Sequence, residues 1–97
     1  MIDGKTRNGF KFSIDERVLD DWRLLTAIAQ SESKDPSVQI QGAHNLVTLL
    51  LGDKEQDLME HISKKNDGYV PAIVVTETIT EILTTVKELK NSSSSER

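Results

Sequence analysis

The residues able to do chemistry in this 97-residue chain are few and scattered. His44 and His61 are its two histidines, and neither stands in a His-x-x-x-His or Glu-x-x-His spacing that would set metal ligands on one helix face. Ser31-Glu32-Ser33-Lys34 has the Ser-x-x-Lys spacing of some serine nucleophiles, but in a polar stretch between helices with no sheltering core. Asn66-Asp67-Gly68 resembles the sharp turn of a calcium loop. Aligned that way, Lys65 falls on a ligand position and Val74 where a bidentate Glu belongs, so the turn reads as structural. Glu16, Asp20 and Asp21 give the first helix an acidic, solvated face. Cysteine is absent, which removes disulfides, thiolate zinc sites and thiol nucleophiles. There is no Gly-rich phosphate loop and no helix dense in Lys and Arg. A net charge of −4 opposes binding to a phosphate backbone, so no nucleic-acid partner is expected. Nor can a nucleophile, base and orienting group be named together. The expectation is a non-catalytic protein with no cofactor and no metal.

The elements that hold these residues follow from patterning. Phe10-Lys11-Phe12-Ser13-Ile14 alternates apolar and polar side chains, the period of a half-buried strand. Asn8-Gly9 just before it suits a hairpin turn, with Lys5–Arg7 as partner strand and residues 1–9 partly flexible. A first helix is predicted from about Asp15 to Gln30, its stripe formed by Val18, Trp22, Leu25 and Ala29. Asp35-Pro36 opens a second helix and Gly52 closes it, with Ile40, Ala43, Val47, Leu50 and Leu51 facing inward. Gly42 inside it marks either a close helix crossing or a break. A third helix starts at Asp53 and ends near Lys64-Lys65, where positive charge meets the helix dipole. The fourth starts at Pro71 and carries Val75, Ile79, Ile82, Val86 and Leu89 at alternating spacings of four and three. Its many threonines lean toward strand, but a strand would set Glu77 and Glu81 on the apolar face, and the helical register does not. The fold class predicted is mainly α: a small four-helix domain over residues 5–90 with a short N-terminal β-hairpin, then a disordered Ser-rich tail over 91–97.

Leu, Ile, Val and Phe supply 27 of the 97 residues. A chain this size hides only about 60–65% of its unfolded surface, so apolar side chains are left over. The stripe of the fourth helix runs about four turns, roughly 22 Å. Val75, Ile79, Ile82, Val86 and Leu89 are therefore the candidate partner-binding residues, together with Phe10 and Phe12 of the hairpin. No apolar run approaches the roughly 18–20 residues of a membrane span, and Met1-Ile2-Asp3-Gly4-Lys5 opens no signal peptide. A soluble intracellular protein is expected, with no membrane partner.

Particular residues add a resemblance. Gly9-Phe10-Lys11-Phe12-Ser13-Ile14-Asp15-Glu16 is followed by Val18-Leu19-Asp20-Asp21-Trp22. Leu49-Leu50-Leu51-Gly52-Asp53 and Asp67-Gly68-Tyr69-Val70-Pro71 come later, before a last helix ending in Lys90-Asn91-Ser92. Over residues 9–92 the chain resembles the small tail assembly chaperones of long-tailed, siphovirus-like phages and prophages of Gram-positive bacteria. Asp35–Gln41 and the threonine-rich fourth helix depart from the more acidic versions. The resemblance implies a coat for the tape measure protein that self-associates and leaves as tail tube subunits arrive. It further implies an extended, frameshifted form through which the tail tube protein is met. The place of work implied is the host bacterial cytoplasm, not the mature virion. From the residues alone a second reading stands open, a small acidic helical inhibitor or regulator of a host or phage protein.

Overall fold

The structure is a computed structural model and describes residues 1–94. Strands β1 (Ile2–Lys5) and β2 (Lys11–Ile14) form a two-stranded antiparallel hairpin, with Ile2 opposite Ile14 and Gly4 opposite Phe12. The partner strand therefore lies earlier than Lys5–Arg7, inside the stretch expected to be flexible. Three residues, Arg7-Asn8-Gly9, make the loop. Gly9 takes φ +89, the left-handed conformation that ends such loops, and its N–H donates to the Thr6 carbonyl (2.9 Å). Gly4 is bare because the ring of Phe12 lies across it, within 2.4 Å of where a Cβ would stand.

The predicted first helix is divided. A 3₁₀ segment covers Glu16–Asp20, and α1 begins only at Trp22 and runs to Ser31. Asp21 is the cause. It sits in extended geometry and accepts the Arg23 amide (2.9 Å), so it caps a new helix instead of continuing the old one. The helical register restarts there. Leu24 and Ala27 are buried and Ile28 packs beside them, whereas Trp22 and Leu25 are turned to solvent, 79% and 47% exposed.

Helix α2 spans Pro36–Leu51, capped by Asp35 through the Ser37 amide (3.0 Å) with Pro36 in the first turn, as its sequence predicts. Gly52, at φ +53, bends the chain without freeing it. A 3₁₀ turn over Gly52–Lys54 passes directly into α3 (Glu55–Lys65). The last helix, α4, covers Ala72–Ser94. Besides the 3₁₀ segment at Glu16–Asp20, the described residues thus hold three uninterrupted helical runs in place of four separated helices. Of the expected tail, residues 91–94 continue α4, and 95–97 lie outside the described residues. The molecule is mainly helical with a short N-terminal antiparallel hairpin.

One core joins the elements. Phe10, Phe12 and Ile14 meet Leu24 and Ala27 of α1, Leu46, Val47, Leu50 and Leu51 of α2, Leu58 and Ile62 of α3, and Ile79, Ile82 and Val86 of α4. Helix α1 lies tight against α2 at Gly42, where an added Cβ would stand 2.3 Å from the Ser31 amide nitrogen. Gly42 therefore marks a close crossing, not a break. Ile40 departs from the expected inward stripe and is 69% exposed. No helix of the described residues is long and apolar enough to cross a membrane.

Candidate functional site

The side chains singled out from the sequence divide by burial. Phe10, Phe12, Ile79, Ile82 and Val86 are core residues of the single chain, Val75 is half-buried, and Leu89 is exposed. The physical reason is the hairpin. Its three apolar side chains and those of α3 supply cover that the helical pattern of α4 alone does not reveal. A partner can reach Val75 and Leu89 directly, but it can reach Ile82 or Val86 only by displacing an element.

What stays open takes in Val75 and Ile79 of the predicted stripe and extends to one side of it. A groove of about 630 Å³ runs between α2 and α4. Its apolar lining comes from Ile40, Ala43 and Val47 on α2 and from Ile73, Val75, Ile79 and Leu83 on α4, with Ile28 of α1 at one side. Ile40 and Ile73 stand up on opposite walls, 69% and 65% exposed. Val75, Ile79 and Leu83 recur every four residues, and Thr76, Thr80 and Thr84 follow them as a rim. Glu32 and Lys87 are the charged side chains that line it. Sequence reasoning places Ile40 inside and says nothing of Ile73. The signal it could have used is that the β-branched run begins just before Val75, at Ile73 and Val74.

A second feature is polar and holds the hairpin. The Arg7 amide donates to Glu81 (2.8 Å), and Asn8 Nδ2 donates to the Thr78 hydroxyl (3.1 Å), which in turn donates to the Val74 carbonyl (2.7 Å). His61 Nε2 donates to the Asn8 carbonyl (2.7 Å), which places its proton on Nε2, and its ring tilts against Phe10 at 5.8 Å. Buried Thr6 closes the tip: its hydroxyl donates to the Asn8 side-chain carbonyl and accepts from the Phe10 amide (3.1 Å). His61 is thus a structural residue that ties hairpin to α3, while His44 faces solvent.

Three carboxylates at helix starts are shifted by their hydrogen bonds. The Arg17 side chain and amide beside Asp15 lower its carboxyl to about 2, and Arg23 does the same for Asp21, also to about 2. Hydrogen bonds from the Ser37 side chain and amide lower Asp35. All three are helix-start carboxylates, and none faces the groove. Among the described residues no group of three His, Asp or Glu is placed to hold a metal ion. No family model, curated protein or solved structure matches this chain.

Proposed function

We propose that this protein is a non-catalytic tail assembly chaperone that binds the tape measure protein of a long-tailed phage and keeps it soluble until the tail tube forms. The observation that carries the proposal is the groove between α2 and α4, with uncovered isoleucines on both walls. A trough between two helices, floored by aliphatic side chains at four-residue spacing, suits the apolar stripe of a third helix. A tape measure protein, as a long helical chain, offers such stripes repeatedly. The net charge of −4 keeps a chaperone–client assembly dispersed once the apolar faces are covered. The reading places the protein in the host bacterial cytoplasm in many self-associating copies. An extended form meets the tail tube protein, and the chaperone is absent from the finished virion. The sequence resemblance supports the choice of client, and the groove supports the mode of binding.

Co-expression with a tape measure protein is the test. A soluble complex is expected, lost when Ile40→Asp and Ile73→Asp are combined while the helical circular-dichroism signal is kept. A client that stays insoluble beside the wild-type chain, or a complex indifferent to both substitutions, overturns the proposal.

A further inference from the structure

We propose that Asn8 is a site of spontaneous deamidation, gated by opening of the hairpin tip, and that its conversion to aspartate or isoaspartate keeps the tip from closing again. The inference is independent of the groove. Asn8 precedes Gly9, whereas Asn45, Asn66 and Asn91 precede Leu46, Asp67 and Ser92. A glycine leaves its amide nitrogen unobstructed, so that nitrogen can attack the side-chain carbonyl carbon of the asparagine before it. The bond formed joins the Gly9 nitrogen to Asn8 Cγ. The bond broken is Cγ–Nδ2, and Nδ2 leaves as ammonia, taking the Gly9 amide proton. Water then opens the cyclic imide, giving its hydroxyl to one of the two ring carbonyl carbons and its remaining proton to the Gly9 nitrogen. Opening at Cγ yields aspartate, and opening at the main-chain carbonyl carbon of residue 8 yields isoaspartate. The net change is from amide and water to acid and ammonia, with nothing oxidised or reduced.

Geometry sets when this happens. In the closed tip the atoms that must move are all held. The Gly9 N–H is committed to the Thr6 carbonyl (2.9 Å). Asn8 Nδ2 donates to the Thr78 hydroxyl (3.1 Å), and Oδ1 accepts from the Thr6 hydroxyl and the Phe10 amide (3.4 Å). Thr6 and Thr78 are themselves buried. Swinging Cγ onto the Gly9 nitrogen breaks these bonds together, so ring closure belongs to a locally open tip. The product cannot be held in the same way. A carboxylate has no N–H for the Thr78 hydroxyl, which can donate to it only by leaving the Val74 carbonyl (2.7 Å). The new charge also enters a cleft that Asn8 shares with Glu77, Glu81 and Glu88, where Arg7 is the one basic lining residue among those described. Glu81 already accepts the neighbouring Arg7 amide (2.8 Å), so like charges meet where the tip docked. The hairpin, which covers Ile82 and Val86, then relies on its apolar face.

The experiment ages the purified full chain in mildly alkaline buffer and follows the Asn8 peptide by mass spectrometry. Exchange of amide for acid raises its mass, whereas isomerisation of Asp3 or Asp67, which also precede glycines, does not. Conversion is expected to be slower in the folded chain than in urea by about tenfold or more. Thr78→Val, similar in shape but without a hydroxyl, should speed it about fivefold with the helical circular-dichroism signal kept, the size of one lost hydrogen bond. Thr78→Ser, which keeps the hydroxyl, should match the wild type. Glu81→Ala frees the Arg7 amide without touching the core and should also speed conversion about fivefold. Asn8→Asp stands for the aged chain, and amide exchange at Phe12 and Ile14 should quicken about tenfold in it. Four results overturn the inference: no conversion at Asn8 in urea, equal rates in folded and unfolded chains, folded Thr78→Val and Glu81→Ala chains that age as the wild type does, or unchanged hairpin exchange in Asn8→Asp.

Discussion

Gly42 decides how α1 meets α2, because the backbone of Gln30 and Ser31 occupies the space any side chain there would need. Alanine is the better helix former, yet at this position its methyl would drive the helices apart. Gly42→Ala is therefore expected to destabilise the fold by about 2 kcal/mol, the range of an overpacked contact, read from the midpoint of urea unfolding. The capping carboxylates act on a different variable. Asp15 and Asp21 ionise at about 2 in the folded chain against an ordinary 3.8. Their lowered values mean that the stability they add is complete above the ordinary value and is lost as the pH falls through about 2. Trp22, the single tryptophan, follows Asp21 directly and reports on that cap. Its fluorescence should show an acid transition between pH 4 and 2, and Asp21→Asn should shrink that transition while leaving the neutral spectrum unchanged.

At the scale of the element, the hairpin is held as much by its tip as by its apolar face. Asn8→Ala removes the side-chain bonds to Thr78 and Thr6, and should cost about 1–2 kcal/mol. The expected sign is faster amide exchange at Phe12 and Ile14, with α2 unaffected. Much of this architecture can be read from residues alone. The period of Phe10–Ile14, the Asp35-Pro36 start and the apolar register of α4 each name an element because each reflects a local rule. What cannot be read that way depends on a neighbour or on a choice between caps. Asp15 and Asp21 both suit a helix start, and pattern alone does not say that the chain uses both in turn. The restart of helix directly after Gly52 is legible in the sequence, but not that a 3₁₀ turn over Gly52–Lys54 joins α2 to α3 as one bent rod. The stripe of α4 was legible as apolar, but its cover comes from a hairpin some seventy residues away, as the Arg7–Glu81 bond shows. For the same reason the open groove was invisible. Ile40 lies outside because α1 stops at Ser31, short of covering it.

For the molecule as a whole, five elements share one core, and no element has an interior of its own. Ile82, fully buried, is a sensitive probe: Ile82→Ala should cost about 3 kcal/mol and Ile82→Asp should unfold the chain, both visible by circular dichroism. Substitutions at Ile40 or Ile73 should leave the melting temperature within a few degrees of wild type, because those side chains already meet water. That contrast separates loss of binding from loss of fold. The span of the Arg7–Glu81 bond also bears on how the protein is made. The partners are 74 positions apart, so during synthesis the hairpin leaves the ribosome well before the helix that will clasp it. Until that last segment emerges, Phe10 and Phe12 lack the part of their cover that α4 supplies, and a two-stranded ribbon does not hold alone in water. Chain growth therefore sets the schedule: α1 and α2 can pair early, and the polar clasp at the hairpin tip is completed only once α4 is made.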